Sequence, residues 1–275
     1  MGNLSRVVSS LKKLNLWLLS GSILVFAPLA NAGTHQGIVS LDMCADQYAL
    51  ALLPKDEIAG LSLRAQHPDS FYRLRAEAFP RRRASLEAVL ALRPRAVLRT
   101  WGGDARLLSG LKAHGIEVIQ ISDPADVSAT RAELLRVGAL LRQPQRALHE
   151  ARLMDEALKV ISKQGRGRAV LYYTPSGYTA GPKTWVGELL KTMNYKVRAE
   201  QDYYAYLSPE AFLSLTTDVY ALGFYEDKYA MRRVAGRHPL VRKKIAAQET
   251  IVLPSPAIAC NAWYSAQAMQ EGMGL

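Results

Sequence analysis

Histidine and cysteine are scarce in this chain of 275 residues, with five of the first and two of the second. His67, His114, His149 and His238 are scattered, so they form no convergent ligand set for a directly bound zinc or manganese ion. A GxSxG elbow, a P-loop and an HExxH pattern are all missing, and no Ser, His or Asp couples a nucleophile to a base at readable spacing. That leaves no sequence argument for an enzyme, and an exported hydrolase stands only as an alternative. Acidic residues are few, 24 against 35 Lys and Arg, giving a formal charge of +11. The apolar stretch Leu14 to Ala27 falls short of the ~18 residues that a spanning helix needs.

What is there begins with a leader. Arg6, Lys12 and Lys13 precede that apolar stretch, and Ala30-Asn31-Ala32 has the small-residue cleavage pattern, so residues 1–32 read as a signal peptide cut after Ala32. An uncleaved anchor is the other reading; no Cys lies near the cut, which disfavours a lipid-modified terminus. Removing the leader takes away three positive side chains and no negative one, leaving +8. Spread over a whole protein, that is no nucleic-acid footprint. Arg81-Arg82-Arg83 reads as a solvated turn, with attraction of an anionic ligand as its alternative. Export implies an oxidising compartment, so a Cys44–Cys260 disulfide is the default; two inert buried thiols, or a free thiol near a ligand, stay open.

Hydrophobic content of 49% with 21% charged residues describes a globular protein with a sizeable core. Its clearest organisation is Ser85 to Ile121, SLEAVLALRPRAVLRTWGGDARLLSGLKAHGIEVIQI. Leu86, Val89 and Leu90 recur at helical spacing, Pro94 stops that helix, and Ala96 to Leu98 is a short apolar strand. A Gly102-Gly103 turn, a second helix and a second strand follow. The pattern α-β-α-β in so short a stretch predicts a parallel sheet with helices on its faces, hence the α/β class. Asp123-Pro124 reads as the start of another helix, and Gln145 to Gln164 as a long one ended by Gly165-Arg166-Gly167. A second α/β unit follows, in which helix SPEAFLSL and strand DVYAL echo helix SLEAVLAL and strand AVL. Glu87 and Glu210 hold the same place in the two helices. Ser62 to Pro80 is a long irregular connection and a candidate binding loop.

With those segments in place the chain resembles the periplasmic substrate-binding proteins of ABC importers for metal chelates, the class that carries ferric siderophores and cobalamin. SLEAVLALRPRAVL carries most of the likeness, continuing through WGG and LKAHGIEVI. GIVSLDMCADQYALALLPKDEIAGLS, LRVGALLRQPQRA, YTAGPKTWVGELLKTM and LSPEAFLSL support it. The departures are Arg95, where Asp is usual, and Thr217, where Pro often stands. The resemblance implies a signal peptide (1–32), an N-terminal α/β lobe (33–143), a linker helix (144–166) and a C-terminal α/β lobe (167–275), with the ligand cleft between the lobes. It implies that Glu87 and Glu210 dock on Arg residues of an ABC permease dimer in the inner membrane, and that a disulfide between Cys44 and Cys260 ties the lobes. The protein is then a periplasmic monomer that uses no cofactor and no covalent chemistry.

A chelate cleft calls for large flat side chains on loops after strand ends. Tyr72 and Trp101 are the candidates in the first half, with His67 beside them, and Tyr173, Tyr178, Trp185, Trp263 and Tyr264 in the second. Tyr203, Tyr204 and Tyr206 read equally as a packed loop. Positive charge favours a ferric siderophore over cobalamin or haem as cargo; a diverged accessory protein without ligand is the alternative.

Overall fold

The computed structural model describes residues 37–225 and 234–275. The expected leader and its cleavage point lie outside the described residues. β1 (Ile38–Ser40), α1 (Met43–Leu52) and β2 (Ile58–Ser62) open the chain, and a run of turns leads to the edge strand β3 (Arg81–Arg82). Next come α2 (Leu86–Leu90), β4 (Ala96–Arg99), α3 (Ala105–Ala113) and β5 (Glu117–Gln120). The five strands form one parallel sheet in the order β3-β2-β1-β4-β5. Ser85 and Asp104 start α2 and α3 by accepting the backbone N–H groups of Ala88 and Leu107, groups the first helical turn cannot satisfy itself. Ser85 to Ile121 thus folds as its spacing predicts.

The next helix starts later than Asp123-Pro124. Asp126 is the cap of α4 (Val127–Leu140), accepting from the N–H of Ala129 at 2.8 Å, which leaves Asp123 in the loop after β5. Then α5 (Pro144–Ile161) runs for 18 residues with Pro at its first position. It ends at Ile161, short of residue 166, and Arg166 and Gly167 beyond it adopt positive φ, a conformation that keeps the helix from resuming. A Cβ on Gly138 would stand 2.3 Å from that of Ala147, so glycine is what lets α4 and α5 approach.

Beyond α5 lie β6 (Ala169–Tyr173), β7 (Tyr178–Ala180), α6 (Trp185–Thr192), β8 (Lys196–Val197), β9 (Tyr204–Tyr206), α7 (Pro209–Ser214) and β10 (Val219–Gly223). The chain ends with α8 (Pro239–Ala246), β11 (Glu249–Leu253), α9 (Ser255–Ile258) and α10 (Ser265–Gly272). The second parallel sheet has the order β11-β10-β6-β8, so β8-β6-β10-β11 repeats β2-β1-β4-β5 and the two lobes share a topology. β7 and β9 form a separate antiparallel ribbon.

Helices cover both faces of each sheet, and successive strand residues therefore enter different cores. Val170 and Tyr172 of β6 join a large core that runs from β1 and α1 through α4 and α5 to α10. Leu171 and Tyr173 join a smaller outer core with Phe212 and Tyr220. The large core is continuous from lobe to lobe across α5. No helix of the described residues is long and apolar enough to cross a membrane.

Candidate functional site

The loops after β1 and β4 meet at one carboxylate. Asp42 Oδ1 caps α1 by accepting from Ala45 N at 2.9 Å. Its Oδ2 accepts from three successive backbone N–H groups, Thr100 at 2.8 Å, Trp101 at 3.3 Å and Gly102 at 2.8 Å. The same turn is held from its carbonyl side: Arg99 Nε donates to Gly102 O and Gln120 Nε2 to Thr100 O, each at 2.6 Å. A Cβ on Gly102 would lie 2.7 Å from the Leu41 carbonyl oxygen, so the close approach needs glycine. This pinned turn carries Trp101, whose side chain stays 57% exposed. An apolar ring held rigidly in solvent is arranged for contact with something else.

Two hollows meet at Trp101. One, of about 200 Å3, is lined by Leu63, Arg64, Arg82 and Arg83; the arginine run expected as a solvated turn is in part the edge strand β3. The other, of about 100 Å3, lies between the lobes and is lined by Tyr48, Thr100, Asp123, Asn261 and the cysteines. Cys44 and Cys260 are bonded, S–S 2.03 Å, joining α1 of the first lobe to the loop after α9. Beside them Asn261 Nδ2 donates to the Pro124 carbonyl at 3.0 Å. Partial burial raises the pKa of Asp123.

Of the seven aromatic side chains expected in the cleft, Trp101 and Tyr178 are exposed, while Tyr72, Tyr173, Trp185, Trp263 and Tyr264 are buried. The rings of those five serve packing, and their polar tips, Tyr264 apart, find partners inside the protein. Tyr72 Oη and Trp263 Nε1 donate to the same oxygen of Glu150 on α5, at 2.9 and 3.2 Å. Burial, reinforced by that carboxylate, raises the Tyr72 phenol's pKa. Tyr264 stacks on Phe71; Tyr173 Oη donates to the Leu207 carbonyl, and Trp185 Nε1 to that of Ala257. His67 is paired with Asp69 at 3.1 Å.

Exposed aromatic surface on the second lobe is found instead on the β7–β9 ribbon. Tyr178 stands opposite Tyr206, their rings 5.9 Å apart, and Tyr204 shares that face because side chains alternate. All three are about half exposed. The Tyr-Ala-Tyr alternation was the available signal. Glu87 and Glu210 are both exposed, each two residues after a serine cap, since Ser208 accepts from Ala211 N as Ser85 does from Ala88 N. No group of three or more His, Cys, Asp or Glu among the described residues could hold a metal ion.

The family model for periplasmic binding proteins matches residues 38–248. No curated protein sequence matches the chain. Among solved structures, the periplasmic heme-binding protein RhuT from Roseiflexus sp. RS-1 is similar over 86% of this chain and 96% of its own, at 20% identity and TM-score 0.66. The periplasmic heme-binding protein HutB of Vibrio cholerae is similar over 88% and 98%, at 16% identity and TM-score 0.68. The periplasmic vitamin B12-binding protein BtuF of Vibrio cholerae is similar over 87% and 95%, at 17% identity and TM-score 0.61.

Proposed function

From the premise that the chain belongs to the periplasmic binding protein family, we propose that it captures an anionic metal chelate in the periplasm and hands it to an ABC permease. The observation that carries this reading is Trp101, an exposed indole fixed on a fully bonded turn beside a hollow lined by Arg64, Arg82 and Arg83. A flat apolar ring covers the ligand's organic skeleton, and guanidinium groups supply forked donors for carboxylate or catecholate oxygens. A ferric siderophore is the first-ranked cargo on charge, with haem and cobalamin next. Low-identity likeness to heme and B12 carriers speaks for the shared fold and leaves the cargo to chemistry.

Capture and release involve no bond making, and the protein works as a monomer. Glu87 and Glu210, presented alike on the two lobes, form the docking points for cationic side chains of the permease dimer.

A thermal-shift and tryptophan-quenching screen with ferric siderophores, haemin and cobalamin tests the reading. A bound chelate raises the melting temperature by mass action and quenches Trp101, and Trp101→Ala weakens binding. Failure of every chelate would leave the accessory-protein reading. Glu87→Lys and Glu210→Lys are expected to lower transport and leave chelate affinity unchanged.

A further inference from the structure

Buried hydroxyls nearly always find a partner within a folded protein, and an exception calls for an explanation. Tyr48 Oη and Thr100 Oγ1 are both buried with no hydrogen-bond partner among the described residues, and both residues line the 100 Å3 cavity between the lobes. Tyr48 is itself only 2% exposed, its ring fixed edge-on against Trp263 with centroids 4.5 Å apart, so its hydroxyl cannot swing to solvent. The remaining polar lining is Ser122, Asp123 and Asn261, with the disulfide as an apolar wall. The lining holds one carboxylate and no cationic side chain.

We infer that this cavity is a subsite for a non-anionic hydrogen-bonding arm of the cargo, an amine, amide or hydroxyl, inserted beyond Trp101 while the chelate's metal-bound oxygens rest on the arginine side. The inference rests on the chelate-binding reading and sharpens it. Tyr48 and Thr100 each offer a lone pair and a rotatable proton. Asp123 accepts, favours a cationic head and repels a carboxylate. The volume suits one small functional group, not a whole chelate. Trp101 lines both hollows: on one side of the indole stand Arg82, Arg83 and Arg64, the last paired with Asp69, together with Asp42, whose carboxylate is spent on the Trp101 turn; on the other stand Asp123 and the hydroxyls. Cargo is then selected by carrying a donor arm beside its metal-bound oxygens, which haem, with carboxylates and no N–H once metallated, does not.

The test compares ferrioxamine B, whose tail is an ammonium group, with its N-succinyl derivative, whose tail is a carboxylate, and with haemin, on wild type, Tyr48→Phe and Thr100→Val. Dissociation constants come from fluorescence quenching and melting temperatures from calorimetry. The expected result is wild-type preference for the ammonium tail, lost by roughly 10-fold in each variant, with under about 2-fold change for the other two probes. Each variant should melt at the same temperature as wild type or higher, because it removes a hydroxyl that the fold leaves unpaired. Equal losses for all three probes, no loss for any, or lowered melting temperatures would overturn the subsite while leaving chelate binding intact. Failure of wild type to bind any of the three would overturn the subsite, and failure to bind cobalamin and the remaining ferric siderophores as well would overturn the chelate reading.

Discussion

Phe71 and Tyr264 lie ring over ring, centroids 5.1 Å apart and 2° from parallel, although they belong to opposite lobes. Next to them Tyr72 of the first lobe and Trp263 of the second donate to one oxygen of Glu150 on α5. These side chains form a seam in which each lobe packs on the other and both are bonded to the helix between them.

Glu150 should therefore matter to stability out of proportion to its size. Glu150→Ala strands two buried donors, at a cost of about 1–3 kcal/mol for each. Glu150→Gln keeps one accepting oxygen and removes a buried charge, so its loss is much smaller. Urea unfolding of both variants decides this; equal losses would mean that packing, and not the shared acceptor, holds the seam.

The disulfide closes a loop with a sequence separation of 216. On the loop-entropy model it contributes up to about 5 kcal/mol. Cys44→Ser with Cys260→Ser should lower the urea midpoint, and dithiothreitol should lower that of wild type but not of the double variant.

Asp46 makes stability depend on pH. It is fully buried on α1 and accepts from Ser62 N and Ser62 Oγ at 3.0 and 2.6 Å. Burial dominates those bonds and raises its pKa from 3.8 to about 6. In that interval the folded protein holds a proton that the unfolded chain has released, so stability falls as pH rises from about 4 to about 6, by about 3 kcal/mol in total. Below the interval both states are protonated and the penalty vanishes. Asp46→Asn should flatten this part of the profile, measured by denaturation across the range.

Asp42 has two separable duties. Asp42→Ser retains a good helix cap but its shorter side chain cannot also receive the N–H groups of Thr100, Trp101 and Gly102. The variant should keep the helix content of wild type while Trp101 becomes more mobile and chelate affinity drops roughly 10-fold. Fluorescence anisotropy, referenced to Trp101→Phe, reports the mobility. Asp42→Ala should lose the cap as well and be the less stable of the two.

Local order was legible in the sequence because it depends on neighbours a few residues apart. Ser85 and Ser208 announce capped helices, Pro94 and Gly115 punctuate them, and the apolar triplet at Ala96 to Leu98 is a strand. Exposure was not legible. Tyr173 and Tyr178 are five positions apart, and only packing makes one a core residue and the other a surface one. A sheet covered on both faces buries aromatic side chains from either parity, which removes the alternation that would have sorted them. Asp42 shows the same limit: its cap could be read locally, whereas its hold on the Trp101 turn joins positions nearly sixty residues apart. Asp123 read as the cap of the next helix from its immediate neighbours, whereas the chain after β5 runs on as a loop and starts that helix at Asp126.

The linker α5, 18 residues long, is a strut of about 27 Å. With Glu150 bonded to both lobes, the stacked Phe71–Tyr264 pair and the cystine, the two lobes should move as one block. The protein's radius of gyration in small-angle scattering should be the same with and without cargo, so loading has to be followed by optical signals. On the proposed reading, a permease facing such a protein would not tell full from empty by a change of outline. It would have to sense the surfaces around the cleft mouth and supply the work of prising the cargo out.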